Sequence, residues 1–267
     1  MKPLDKKYNF LKPIKIPDLV RFGREADGGY IVSKELVKNC NSLICFGMGP
    51  DWSFELDFIK INPKIKIYMY DYTVNIKPYV KEVWKYFRRF ITFRGKFDYL
   101  SIRMGYLNKY LDFFKLKNIN FFPERITSKI INKIDSDIDK VFSRLESNEE
   151  VILKSDIEGS EFEIIDGIAK YSKRIKMLVF EFHWLDRNEK VFLDSVKKLQ
   201  KYFEIIHIHG NNHCKKLDTG LPIALEMTLI NKKYAPTVKE FNTNFPLKNL
   251  DYSNNPYMED LIFHFED

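Results

Sequence analysis

SLICFGMGPDWSFELDFIKINPKIKIYMYD, residues Ser42 to Asp71, is the stretch on which the fold turns. It opens with an apolar run, Ser42–Phe46, and stops at two glycines, Gly47 and Gly49. It continues as a helix from about Trp52 to Lys60 and returns to a second apolar run, Lys66–Tyr70, that ends at Asp71. Short apolar runs without polar alternation are strands buried on both faces, which is what a parallel sheet covered by helices requires. Glycines two residues apart permit a tight turn and let a ligand approach the backbone. The helix after them presents free N–H groups. An acid about twenty residues past such glycines suits a ribose, because one carboxylate accepts from both hydroxyls. Singly, the glycines read as an ordinary strand-to-helix turn and Asp71 as a helix cap; together they favour a nucleoside-containing cofactor.

The same alternation runs outward from this stretch. Lys77–Lys117 is helical in pattern and rich in Lys, Arg, Tyr and Phe, and Asn120–Phe122 reads as a short strand. Lys133–Leu145 reads as an amphipathic helix with Ile134, Ile138, Val141 and Phe142 on one face. Val151–Lys154 is a buried strand, Ser160–Lys170 a helix with Ser160 as N-cap, and Met177–Phe182 another strand. Asn188–Tyr202 is a helix with Phe192, Val196 and Leu199 as its buried stripe. No convincing helix separates Glu204–His209 from Leu225–Ile230, so the sheet should end in a hairpin. The polar tail from Tyr234 onward reads as a wrapping extension. The expected class is α/β, with a mostly parallel sheet and helices on both faces.

In such sheets ligands bind at the carboxyl ends of the strands, where strand order reverses. The residues just past each strand are therefore informative. Val151–Lys154 leads into Lys154, Ser155, Asp156, Ile157, Glu158, Gly159, Ser160 and Glu161, a crowd of charges that is costly beside a core unless paired or liganded. Met177–Phe182 closes on Glu181, Phe182, His183 and Trp184; alternation puts Glu181 and His183 on one side, as a general base or a metal ligand requires. Glu204–His209 closes on His207, His209, Asn211 and Asn212, whose amides could orient a polyol or equally cap a polar loop. Glu226 lies in the final strand.

Composition sets outer bounds. Hydrophobic residues are 45% of the 267, enough for a sizeable core. No apolar run is long enough to span a membrane, and MKPLDKKYNF lacks the apolar stretch of a signal peptide. Cys40, Cys45 and Cys214 have no metal or disulfide spacing, so a reducing cytoplasm is the expected location. A net charge of +7 would suit an anionic partner, but abundant Lys, Asn, Ile, Phe and Tyr also arise from AT-rich codons. Nucleic-acid binding is therefore not favoured on charge alone, whereas a nucleotide-linked substrate would welcome the field.

Six stretches, in order and spacing, make the chain resemble the FkbM-like branch of class I S-adenosylmethionine-dependent methyltransferases. They are RFGREADGGYIV (Arg21–Val32), ICFGMGPDWSFE (Ile44–Glu55), YDYT (Tyr70–Thr73), LKSDIEGSEFEI (Leu153–Ile164), FEFHW (Phe180–Trp184) and HIHGNN (His207–Asn212). The LKSDIEGSE block is the most specific. The resemblance implies a Rossmann-like, seven-stranded sheet with its last strand antiparallel. It implies one methyltransferase domain over residues 1–267, with an N-terminal cap segment (1–40) and a helical insertion (77–117). S-adenosylmethionine would lie against Gly47, Gly49, Asp51 and Ser53, with Asp71 on its ribose, Arg21 or Lys154 near its carboxylate, and Asp156 beside it. Arg21–Gly29 would fold over the site. Two departures stand out: Cys45 occupies the area where class I members carry an acid, and Trp52 stands where a third glycine would be. Glu55 or Asp51 could take over the amino-group contact.

The implied reaction is O-methylation of a carbohydrate, such as a nucleotide-linked sugar for surface or capsular polysaccharide biosynthesis. A sugar hydroxyl needs a base within reach or a metal that lowers its pKa. His183 is the expected base, oriented by Glu181 or Asp156. Manganese or magnesium held by Asp156, Glu181 and His209 is the other route. Glu158, Trp184, His209, Asn211 and Asn212 are expected to line the acceptor. Arg88, Arg89, Arg94 and Arg103 of the insertion would form a lid or acceptor wall, or else a solvated helical pair. A homodimer is compatible with the sequence. The competing readings are an RNA methyltransferase, a nicotinamide-dependent oxidoreductase, against which the absent third glycine speaks, and a non-catalytic Rossmann-like binding module, which would have no need of the acid–histidine cluster.

Overall fold

The computed structural model describes residues 3–266. The chain enters through an antiparallel hairpin, β1 (Leu19–Phe22) and β2 (Tyr30–Ser33), and a short helix α1 (Lys34–Lys38) capped by the Ser33 hydroxyl. Then come β3 (Ser42–Phe46), α2 (Ser53–Ile61) and β4 (Lys66–Tyr70), the strands over the residues expected of them. Helices α3 (Lys77–Ile91) and α4 (Phe97–Phe114) precede β5 (Ile119–Phe122). A two-residue pair, β6 (Arg125–Ile126) and β7 (Asp135–Ser136), leads to α5 (Ile138–Ser143), β8 (Val151–Ser155) and α6 (Ile165–Lys170). Last are β9 (Ile175–Phe182), α7 (Leu185–Leu199), β10 (Phe203–Gly210) and β11 (Leu225–Asn231), then a small tail pair, β12 (Asn244–Phe245) and β13 (Phe263–His264).

Seven strands form one sheet in the order β10-β11-β9-β8-β3-β4-β5, and β11 alone runs antiparallel to its neighbours. The expected hairpin of β10 and β11 is present. Alternate residues of the central strands feed two cores. Ile44, Phe46, Leu153 and Phe180 pack with Ile138, Val141, Ile165, Phe192, Val196 and Leu199 on one face. Leu43, Cys45, Ile67 and Met69 pack with Val37, Phe54, Phe58 and Phe113 on the other. This is why those runs read as continuously apolar. Each fully buried Leu, Val or Phe contributes about 1.5–3 kcal/mol.

Two sequence expectations need correction. The predicted helix over Lys133–Leu145 is regular only from Ile138, because Asp135 and Ser136 pair with β6 and Asp137 caps the helix through the Lys140 N–H. Ile134 is half-exposed and not part of the buried face. Ser160 makes no side-chain cap; a 3₁₀ turn, Glu161–Ile164, precedes α6, and the buried Glu161 carboxylate accepts the Ile157 and Gly159 N–H groups instead. Helix α7 begins at Leu185, but Asn188 is non-helical, so the regular period starts where the sequence places it. Among the described residues no helix is long and apolar enough to cross a membrane.

Candidate active site

Strand order reverses beside β3, which has β4 on one side and β8 on the other, so the loops leaving these strands diverge and open a cleft. The cleft holds about 620 Å³ and is lined by Gly47, Met48, Gly49, Asp51, Glu55, Asp71, Tyr72, Lys154, Asp156 and Glu158, among others. Gly47 has φ +68°, and a Cβ there would sit 1.8 Å from the Asp156 carbonyl oxygen, so only glycine lets the two loops pass. We expect Gly47→Ala to lose at least about 1–3 kcal/mol from the backbone conformation alone, before any clash is relieved. Urea unfolding with an unchanged m-value would read this; wild-type stability in the variant would refute the close approach.

Asp71 is nearly buried, and both its oxygens are engaged. Oδ2 accepts the N–H groups of Met48 and Gly49, while Oδ1 accepts the Thr73 N–H, the Thr73 hydroxyl and the Val74 N–H. It therefore shapes the glycine turn. Asp51 carries an ion pair with Arg24 at 2.8 Å and accepts the Ser53 hydroxyl. Ser53 starts α2 and does not line the cleft. Arg21 does not line it either: its guanidinium donates to the Arg24 and Ala26 carbonyls, so it builds the loop that puts Arg24 there. The missing third glycine is explained by Trp52, which stacks on Phe113 with centroids 4.8 Å apart.

Two buried charges face the same cleft. Lys154 donates to the Gly47 carbonyl and lies 3.7 Å from Asp156. Burial works against its charge, but Asp156 and Glu55 outweigh burial and raise its pKa. Glu55 is pushed up by burial, against the pull of Lys154. Among the described residues its buried Oε2 has no hydrogen-bond partner. Such an orphaned acceptor is uncommon and points to a missing donor.

A second cleft of about 340 Å³ adjoins the first and shares Asp27, Asp156 and Glu158 with it. Glu181, His183, Trp184, Asn211, His213, Cys214 and Ala224 complete it. His183 Nδ1 lies 3.0 Å from Glu161, whose carboxylate is fixed by two backbone N–H groups. His183 Nε2 faces Glu181 at 3.7 Å and Asp156 and Glu158 at 3.8 Å. The residue that orients the imidazole is thus Glu161, not Glu181 or Asp156 as expected. Burial opposes charge on His183, yet the Glu161 hydrogen bond and the fields of Glu181 and Asp156 raise its pKa above the ordinary imidazole value. Burial, then Asp156 and Glu226, raise the pKa of Glu181. The Tyr30 hydroxyl lies 3.0 Å from Asp156 and 3.2 Å from Glu181, and Asn211 donates to Glu181 at 2.7 Å.

His209 and Asn212 do not join this cluster, which corrects their expected metal and acceptor roles. Both ring nitrogens of His209 are taken, Nδ1 by Glu226 at 3.2 Å and Nε2 by Asp260 at 3.1 Å. Asn212 donates to the carbonyls of Asn255, Met258 and Glu259 and accepts the Asn255 N–H. Both residues hold the C-terminal tail, and the tail's Asn254 in turn bonds Glu226 and Asp27. Among the described residues, the atoms that approach closely enough for a shared cation belong to Asp156, Glu158 and His183, all within 4.8 Å of one another. Asp27 lies in the Arg21–Gly29 segment expected over the site and the tail reads as a wrapping extension, but neither Tyr30 nor any residue of the tail is a sequence candidate for the site. The signal for Tyr30 is its place as the aromatic after Gly28 and Gly29 in the Arg21–Val32 stretch.

No protein-family model matches the chain, and no curated protein does. Solved structures that resemble it include a precorrin-6y C5,15-methyltransferase of Geobacter metallireducens, at 13% identity and TM-score 0.37 over 75% of this chain and 88% of that one. The fibrillarin pre-rRNA processing protein of Methanococcus jannaschii gives 11% and 0.40 over 83% and 71%. Human methyltransferase-like protein 13, solved with SAH, gives 11% and 0.40 over 78% of each chain. At such identities and scores the likeness says nothing about what this chain acts on.

Proposed function

We propose that the chain transfers a methyl group from S-adenosylmethionine to a hydroxyl of a carbohydrate. The observation that carries this reading is the meeting of two clefts of unequal size at Asp156 and Glu158, one behind a glycine turn and the other built around a histidine held among carboxylates. The larger volume falls within the roughly 300–1,000 Å³ of small-molecule sites. Its residues fit the cofactor: Gly47 allows close approach, Gly49 leaves open space where a Cβ would be, and the unpaired Glu55 Oε2 is an acceptor for an ammonium group. Bound there, S-adenosylmethionine supplies an electrophilic methyl carbon on a sulfonium. Lys154 and Arg24 offer cations for its carboxylate, and Asp71, through the Met48 and Gly49 N–H groups, holds the glycine turn that its ribose meets.

The chain's own work is to position the acceptor and take its proton. Trp184 is 45% exposed in the smaller cleft and offers an apolar face beside Asn211 and the acids, the mix that a sugar ring presents in complement. His183 Nε2 is the proton acceptor, and Glu161 on Nδ1 fixes the ring. Among the described residues the smaller cleft has Asp27, Asp156, Glu158 and Glu181 but no Lys or Arg in its lining. A phosphate would be repelled there. If the sugar is nucleotide-linked and bound for surface polysaccharide, as the FkbM-like resemblance suggests, its diphosphate stays outside. The same lining speaks against an RNA backbone as acceptor. The donor set of Asp156, Glu158 and His183 fits manganese or magnesium, which would lower the pKa of an acceptor hydroxyl; His183 cannot be ligand and base at once.

Calorimetric titration with S-adenosylmethionine and S-adenosylhomocysteine tests the first half of this reading. We expect binding by the wild type, and a loss of about tenfold to a hundredfold for Asp71→Ala, the worth of one charged hydrogen bond of about 1.5–3 kcal/mol to the glycine turn. No binding by the wild type, with or without manganese, would remove methyl transfer from consideration.

A further inference from the structure

Residues 77–117 line neither cleft, so the expected lid or acceptor wall is not what α3 and α4 form. The last turns of α4 dock through Tyr110 and Phe114, whose rings pack on Trp52 and Phe121. Helix α3 has no buried residue at all. Tyr79, Val83 and Tyr86, on one side of it, are only partly covered.

Its free surface is divided with regularity. Val80, Trp84, Phe87 and Ile91 succeed one another at intervals of four, three and four, which places them on one helix face, and all four are exposed. Phe93, 98% exposed at the turn between the helices, and Phe97 extend the apolar strip past the helix end. Lys77, Lys81, Lys85 and Arg88, at steps of four, four and three, form the adjacent row. From Lys77 to Phe97 there are seven basic residues (Lys77, Lys81, Lys85, Arg88, Arg89, Arg94, Lys96) against one acid (Glu82), a net +6 where the whole chain carries +7. An amphipathic helix of low overall hydropathy, with Trp and Phe on one face and a basic row beside it, is built to lie in the plane of an anionic membrane surface.

We infer that the α3–α4 hairpin is a peripheral anchor for an anionic lipid bilayer. The apolar strip enters the headgroup boundary and the basic row meets the lipid charges. Two other occupants fit less well. A second copy of the chain would bring a +6 patch against its like. A nucleic acid would use the basic row and stack on rings, but has no use for the aliphatic Val80 and Ile91.

Flotation with phosphatidylcholine vesicles, with and without phosphatidylglycerol, tests this on the whole chain. Binding to the anionic vesicles and not to the neutral ones, weakened by salt, is expected. A Trp84→Ser, Phe93→Ser pair should lower partitioning on the order of tenfold or more, and so should Lys81→Gln with Lys85→Gln and Arg88→Gln. These side chains are exposed, so circular dichroism should stay that of the wild type. Absence of binding to anionic vesicles would overturn the inference. So would a serine pair that binds as the wild type does, a vesicle-free dimer abolished by that pair, or retention of single-stranded RNA in preference to vesicles.

Discussion

His183→Ala is expected to slow methyl transfer by about 10²–10⁴-fold, the usual worth of a positioned general base, while S-adenosylmethionine binds as before. The separation comes from the geometry: His183 lines the smaller cleft and not the larger one. Asp156, which lines both, should not separate the two effects, and Asp156→Asn is expected to weaken cofactor binding as well as the rate. The pH profile adds an independent readout. Neutral imidazole accepts the proton, and His183 has its pKa raised by Glu161, Glu181 and Asp156 against the cost of burial. The protonated fraction is therefore the inactive one, and the rate should climb with pH through a midpoint above the free imidazole value of 6.5. Glu161→Gln should pull that midpoint down, because the strongest hydrogen bond to the imidazolium becomes neutral. Initial rates against pH with a sugar acceptor would measure both. A rate unaffected by His183→Ala would assign the histidine to folding. A lost rate restored by raised manganese would make it a ligand.

The parts of this site that the sequence displays are those whose signal is local. A strand buried on both faces must be apolar throughout, so Ser42–Phe46 and Lys66–Tyr70 are delimited by composition alone. Gly47 announces a left-handed turn, and the acids after β8 and β9 stand at strand ends, where open parallel sheets bind ligands. The Lys133–Leu145 helix misleads because Ile134 falls on the helical period by coincidence. The pairing of Asp135 with Arg125 across β6 and β7, which decides the backbone there, spans ten residues and leaves no periodicity. Arg21 and Arg24 are both basic residues of one loop, and only its folding shows that Arg21 is spent on carbonyls while Arg24 reaches the cleft. The histidines of β10 are the clearest case. His207 and His209 share a side of the strand as alternation requires, but what they face is set by Asp251 and Asp260, residues 44 and 51 positions away. No local pattern announces such partners, and a histidine aimed at a tail reads like one aimed at a ligand.

That arrangement makes His209 a residue whose loss should cost the fold heavily. It is buried between Glu226 and Asp260, and burial opposes its charge. Its hydrogen bonds to the Asp260 and Glu226 carboxylates prevail and push its pKa up to about 10. His209→Ala would leave two carboxylates facing each other without a cation, and removal of one member of a buried ionic group costs about 3–5 kcal/mol. The sign of the pH dependence is fixed by the raised value. A group protonated more readily in the folded state stabilises it fully below the unfolded pKa of 6.5 and loses that contribution as pH rises through about 10. Wild type and His209→Ala should therefore differ most in denaturant midpoint below pH 6.5 and converge as pH rises toward about 10. The tail is also what positions the Asp27 loop, through Asn254, at the junction of the two clefts. A variant held folded at low temperature should accordingly admit protease near residues 251–260 and lose acceptor binding before cofactor binding. Equal stability of the two proteins across this range would show that the tail is held by its backbone and by β12–β13 pairing, with the charge on His209 contributing nothing.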